Sequence, residues 1–223
     1  MLSKRLKRVL DYIQIDDKIV DVGCDHGYLA KEAILKGVSV VQLVDNKKMP
    51  LKKAVDNMSK LHTSQKIIYT LANGLSKIEN EIDVACICGM GGDLIARIIE
   101  ESFFTSTRLK RLILQPNTKV DHLRKYLSDS HFIILDETLV EEKEKYYHII
   151  VARYDENSVP LNELEIKYGP ILLKKMEPCF IHYLNYRLQY IEKMINFNPN
   201  SCKMIQKMNE KKEIEEILKY EIK

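Results

Sequence analysis

The 223-residue chain is short of glycine, of long apolar runs, of any cysteine framework and of charge excess, and each shortage excludes something. No apolar run approaches the roughly 20 residues that a membrane-spanning helix needs. The basic start (Lys4, Arg5, Lys7, Arg8) is not followed by an uncharged export-type segment, so a cytoplasmic protein is expected. Five cysteines form no repeated pattern. Cys86 and Cys88 alternate within an apolar run and should share one strand face, but no second ligand pair at zinc-like spacing accompanies them. Reduced, buried thiols and no metal are the reading. Lys+Arg of 35 against Asp+Glu of 32 leaves only +3, so any nucleic-acid affinity must come from where charge is placed.

Glycine numbers only 8 and is unevenly spread. Gly23 and Gly27 form one cluster, Gly89, Gly91 and Gly92 another, and only Gly169 follows. Proline does the reverse, with Pro160, Pro170, Pro178 and Pro199 falling late. Two pieces of different construction are therefore expected: residues 1–157 as an α/β domain and 158–223 as a helical appendage. A hydrophobic content of 45% suffices for one ordinary core plus such an extension.

Along the first piece, Ser3 can cap a short helix with Leu6, Val9, Leu10 and Ile13 at helical spacing. Strands are then expected at 18–22, 38–44, 66–70, 82–87 and 111–114. Helices are expected between them at 28–36 (closed by Gly37), 49–60, 94–101 and 120–128. Near-continuous apolar strands alternating with helices argue for a parallel sheet covered on both faces. The alternation breaks at 131–140 and 146–154, two strand-like runs joined by five charged residues. So short a link holds no crossover helix, and these two should pair antiparallel. After Pro160 the strand signal disappears. Ile181, Leu184, Leu188, Ile191 and Ile195 give a narrow coiled-coil seam, residues 197–201 a turn, and a second helix is expected from about Cys202.

Chemistry concentrates where the expected strands end. Asp21-Val22-Gly23-Cys24-Asp25-His26-Gly27-Tyr28 follows the first strand. A dinucleotide turn would show three glycines so that a pyrophosphate can rest on the helix N-terminus. Here two carboxylates occupy the turn, which repels phosphate and suits an ammonium or sulfonium ligand; a plain tight turn with Asp25 as helix cap is the simpler alternative. Asp45, some twenty residues on, is placed to accept ribose hydroxyls in either a nicotinamide or an adenosylmethionine site. Asn73-Gly74 can meet an adenine edge or simply turn the chain. Cys88-Gly89-Met90-Gly91-Gly92-Asp93 opens the backbone beside a ligand, with Met90 as an apolar contact and Asp93 as either a helix cap or a reacting carboxylate. Leu114-Gln115-Pro116-Asn117 is read as a stiff turn whose two amides suit a heterocycle edge.

Residues 21–29, the Cys-Gly-Met-Gly-Gly of 88–92, the Leu-Gln-Pro-Asn of 114–117 and the opening Leu2-Ser3-Lys4-Arg5-Leu6 together resemble the TrmK family, bacterial tRNA methyltransferases acting at N1 of adenine 22. The resemblance covers essentially the whole chain. It implies a class I methyltransferase fold, Rossmann-like and seven-stranded with its last strand antiparallel, followed by a coiled-coil pair. It also implies S-adenosyl-L-methionine contacts by Gly23, Asp25, His26, Asp45, Asn73 and Gly74, with a target-base pocket near Asn117. Asp21, Gly27, Gly89 and Met90 are added as cofactor candidates from their place in the two turns. Family members often carry Asp where this chain has Asn73, whose amide oxygen can still meet an adenine amino group.

Adenine N1 carries a free lone pair, so methyl transfer needs no general base, and positioning and electrostatics would carry catalysis. Asp25 or Asp93 could stabilise the developing cation, and Gln115 or Asn117 could hold the exocyclic amino group. Lys4, Arg5, Lys7 and Arg8 at the start, and Lys174, Lys175, Arg187 and Lys193 in the helical piece, are the candidate tRNA contacts. A monomer is expected. Two other readings stand beside this one: a nicotinamide-dependent reductase, and an inactive adaptor for RNA or protein.

Overall fold

The computed structural model describes residues 2–197 and 204–220. In chain order the first elements are α1 (Lys4–Asp11), β1 (Lys18–Val22), α2 (Tyr28–Lys36), β2 (Val40–Asp45), α3 (Lys48–Met58) and β3 (Lys66–Leu71). They are followed by β4 (Val84–Gly91), α4 (Gly92–Glu101), α5 (Phe103–Arg108), β5 (Arg111–Thr118), α6 (Val120–Asp129), β6 (Phe132–Glu142) and β7 (Lys145–Tyr154). Four helices complete the chain: α7 (Glu163–Tyr168), α8 (Pro170–Lys175), α9 (Pro178–Phe197) and α10 (Met204–Tyr220).

The seven strands form one sheet in the order β3-β2-β1-β4-β5-β7-β6. The first five are parallel, and β7 runs antiparallel to both β5 and β6. Apolar residues on successive strand positions separate onto the two faces. Ile19, Val84, Cys86 and Ile113 pack with Val9 of α1, Ile13 just beyond it, Leu29 of α2 and Ala54 of α3. Val20, Ala85, Ile87 and Leu112 pack with Ile95, Ile99, Leu123 and Leu127 on α4 and α6. That is why the central strands read as unbroken apolar runs rather than alternating ones. Cys88 packs on the same side as Cys86, as the alternation required.

Ser3 caps α1 by accepting from Leu6 N, and Gly37 closes α2 in a left-handed conformation. Two expectations fail at the strand ends. β4 runs past Ile87 to Gly91, and β5 runs past Leu114 to Thr118, so Gln115, Pro116 and Asn117 lie in a strand rather than a turn. The two extensions stay paired through register shifts between Cys88, Met90 and Gly91. A bulge admits the extra residue, with Gly89 at φ +78°, and a bulged pair tolerates Pro116 because a ladder donor is not needed there. The short helices α5, α7 and α8 had no periodic signal of sufficient length to announce them.

The chain divides into compact units at Ile171/Leu172 rather than at 157/158. The reason is a buried polar knot in the first unit. Arg124 Nε donates to Glu137 Oε1 at 2.6 Å, and its Nη1 donates to the carbonyls of Ile166 and Lys167, which ties α7 to α6 and β6. In the second unit α9 and α10 are joined by ion pairs of Arg187 with Glu210 and of Lys211 with Glu192, over buried Phe180, Leu184, Ile191 and Ile214. The expected turn at 198–201 and the helix start near Cys202 lie outside the described residues. Among the described residues no helix is long and apolar enough to cross a membrane.

Candidate functional site

The turn after β1 departs from ordinary backbone at three residues, Gly23 (φ +71°), Asp25 (φ +46°) and Gly27 (φ +69°). Gly23 N and Cys24 N both donate to the Val44 carbonyl, at 2.8 and 3.2 Å, which draws the turn against the end of β2. Asn57 Nδ2 on α3 fixes its far side by donating to the His26 carbonyl at 3.0 Å. A side chain at Gly23 would start 2.2 Å from the Met90 methyl, so glycine is what keeps this wall open. Asp25 is not a helix cap: α2 starts behind Gly27 without a side-chain cap.

Two cavities flank this turn at the carboxyl edge of the sheet. The larger, about 560 Å³, is lined by Gly23, Asp25, Asp45, Asn73, Gly74 and Met90 among the expected cofactor residues. Asp45 is buried at its wall, and its Oδ1 accepts from Lys47 N at 2.9 Å. The Asn73 amide oxygen accepts from Asn46 Nδ2 at 3.3 Å, so the ends of β2 and β3 are already bridged. An open glycine wall, a buried acid and a thioether side chain fit an adenosyl group bearing a sulfonium.

The smaller cavity, about 250 Å³, is lined by Arg5, Asp21, Gly23, Asp25, His26, Tyr28, Gly89 and Gln115, together with apolar neighbours. Gly23 and Asp25 belong to both cavities and form their common wall. His26 and Tyr28 stack at a ring separation of 5.4 Å, and the Tyr28 ring is largely exposed. Burial pushes the Asp21 carboxyl up to about 7, against a hydrogen bond from the Ala30 backbone that pulls the other way. Burial also pushes the Cys24 and Cys88 thiols well up, which keeps them protonated and inert.

Some candidates fall elsewhere. Gly27 lines neither cavity; it lets α2 approach β2 and α3, where an added Cβ would stand 3.0 Å from Leu43 and 3.3 Å from Ala54. Asp93 is neither a cap nor a wall of either cavity. It lies in the first turn of α4 and accepts from or pairs with His122 Nδ1 at 2.9 Å, because Gly91 takes the cap position. Arg187 is committed to Glu210 within the helical pair. Lys175 stands 3.8 Å from Glu177, and Arg8 stands 3.4 Å from Asp11. Lys4, Lys7, Lys174 and Lys193 are exposed.

Four contributors carry no role in the sequence reading. Leu94, Arg97 and Ile98 form the α4 wall of the larger cavity, and Tyr28 the mouth of the smaller one. Arg5 was read as a phosphate contact, yet its guanidinium sits over the Tyr147 ring at 4.8 Å and donates to Asn117 Oδ1 at 3.1 Å. Only the aromatic-after-histidine pair 26–28 carried a local signal; the α4 and α1 contributions depend on how helices pack.

Residues 19–220 match the family TrmK, described as tRNA (adenine(22)-N(1))-methyltransferase. The tRNA (adenine(22)-N(1))-methyltransferase of Bacillus subtilis is 32% identical over 200 residues, 86% of this chain and 83% of that protein. A Streptococcus pneumoniae protein, Sp1610, crystallised with S-adenosyl-L-methionine, superposes with a TM-score of 0.86 at 32% identity, over 98% of this chain and all of that one. Mycoplasma capricolum TrmK, in complex with S-adenosyl-homocysteine, superposes at 0.81 with 30% identity, over 99% and 97% of the two chains.

Proposed function

The chain belongs to the TrmK family of tRNA (adenine(22)-N(1))-methyltransferases, and from that premise we propose how its two cavities divide the reaction. The enzyme transfers a methyl group from S-adenosyl-L-methionine to N1 of adenine 22 in tRNA. The nicotinamide-dependent and adaptor readings find no support among its relatives. The larger cavity holds the cofactor, with Asp45 on the ribose hydroxyls, Asn73 and Gly74 at the adenine, and Gly23 and Met90 beside the methionyl portion. The smaller cavity receives the target base.

The observation that supports this division is the common wall of Gly23 and Asp25, since ligands in the two cavities would meet across one narrow turn. Bound S-adenosyl-L-methionine supplies a methyl whose bond to sulfur breaks onto sulfur as the adenine N1 lone pair attacks. The chain's own residues orient and neutralise. Positive charge leaves the cofactor for the base, and Asp25, on the wall between them, accompanies it. N1 lies on the pairing edge of adenine, so the base is extruded before reaction, and the stacked His26 and Tyr28 rings offer it a platform. Lys4, Lys7, Lys174, Lys175 and Lys193 hold the tRNA backbone. We read the enzyme as a cytoplasmic monomer.

Calorimetric titration tests the larger cavity: S-adenosyl-L-methionine should bind with one site per chain and NADH should not. Nucleoside analysis of tRNA tests the smaller one. N1-methyladenosine should form on a tRNA carrying adenine at position 22 and disappear when that adenine alone is replaced. Binding of NADH, or product formed regardless of position 22, would overturn the assignment.

A further inference from the structure

Asn117 is already committed within the protein. Its Nδ2 donates to the Gly89 carbonyl at 2.7 Å, and its Oδ1 accepts from Arg5 Nη1 and Gln115 Nε2, both at 3.1 Å. Gln115 Nε2 also donates to the Pro116 carbonyl at 3.0 Å. Turning the Gln115 amide over would set its oxygen against two oxygens that can only accept. Turning Asn117 over would set its NH2 against two donors and its oxygen against the Gly89 carbonyl. The network is therefore self-consistent in one orientation, and each amide fixes the next.

In that orientation one acceptor of the network is left over, and among its donors Arg5 Nε, over the Tyr147 ring, is also without a partner. Gln115 is fully buried, it lines the smaller cavity, and its Oε1 has no hydrogen-bond partner. A buried amide oxygen without a donor is costly, and such groups in folded proteins ordinarily have a partner. The missing partner must be a donor, since the amide cannot turn to become one.

We infer that Gln115 Oε1 is the group that recognises adenine, by accepting from its exocyclic amino group, and that Asn117 and Arg5 are positioning residues that lock its polarity. This rests on the smaller cavity's being the base site. Adenine presents an amino donor beside N1, where guanine presents a carbonyl acceptor. A free glutamine could rotate to serve either; this one cannot. Asn117 thus acts through Gln115 rather than on the base, and the lock starts from Arg5 on α1, held over Tyr147 of β7.

The test compares tRNA carrying adenosine or purine riboside, which lacks the amino group, at position 22. Purine N1 is intrinsically less nucleophilic, so the readout is the ratio of the two kcat/KM values, compared between enzymes. The ratio for the wild type should exceed that for Gln115→Met by about tenfold, the worth of one buried hydrogen bond to the base. Asn117→Ala should reduce the ratio toward that of Gln115→Met while the Kd for S-adenosyl-L-methionine stays within about threefold. Equal ratios in all three enzymes would overturn the inference. An Asn117→Ala ratio equal to wild type would overturn the lock. Should Gln115→Met fail to bind cofactor, Asn117→Ala at its exposed position carries the test alone. Wild-type methylation of adenosine in the same assay separates the two levels: its absence refutes the base site, whereas its presence with equal ratios refutes only the role of Gln115.

Discussion

The two cavities share Gly23 and Asp25 but are assembled differently. The larger takes its glycine and acid walls from strand ends whose residues announce themselves (a glycine turn, an acid twenty residues later, an Asn-Gly pair), with Arg97 and Glu101 added from α4. Each needs only its own strand to end in the right place. The smaller draws on α1, β1, α2, β4 and β5, and its polarity depends on hydrogen bonds between residues 112 and 28 positions apart. A cofactor with fixed chemistry can be met by local motifs. A base that must be told from other bases needs donors and acceptors of fixed polarity, and fixing them takes long-range contacts.

The shared wall gives the largest effect. Gly23→Val forces a β-branched residue into a left-handed conformation and drives its side chain into Met90. Cofactor affinity should fall by about 100-fold or more by calorimetry, and tRNA methylation with it. Asp45→Asn acts on the larger cavity alone. It should weaken S-adenosyl-L-methionine by about tenfold while tRNA affinity, measured by filter binding, is unchanged.

Asp21, on the smaller cavity, should show itself in pH dependence. At acid pH its carboxyl is protonated in both folded and unfolded chains. As pH rises from 3.8 toward 7 the unfolded carboxyl ionises freely and the buried one does not, so stability is lost across that window. Asp21→Asn should flatten the fall of Tm between those limits, and an unchanged slope would contradict the burial assigned to it. The smallest effect is outside both cavities. Lys174→Glu with Lys193→Glu should raise KM for tRNA a few-fold at low salt and little at high salt, with cofactor binding unaffected.

Much of the architecture was legible. Apolar runs alternating with helical spacing gave the parallel sheet, and a link too short for a crossover helix required antiparallel pairing of the last strands; the strands take up three of the five charged residues expected there and leave only Lys143 and Glu144 as the turn. The ends of β4 and β5 read as turns because a bulged strand pair holding Gly89, Gly91 and Pro116 has the composition of a loop. The domain boundary was misplaced because Pro160 ends the strand signal, while the buried Arg124 carries α7 back to the first unit; nothing near Arg124 in the sequence marks it as a core residue.

By itself the sequence determined the cofactor edge: the acidic glycine turn, the acid at the end of β2, and through them the class of ligand. Those features are local, since a turn's backbone freedom and a strand end's charge are set by the residues that compose them. Only the tertiary structure decided how the base is read. Arg5, Gln115 and Asn117 were each visible as polar side chains, but an amide has no polarity of its own until its neighbours fix which end donates. Those neighbours arrive from α1 and β4, brought into place by the packing of α1 and the register of the bulged strands.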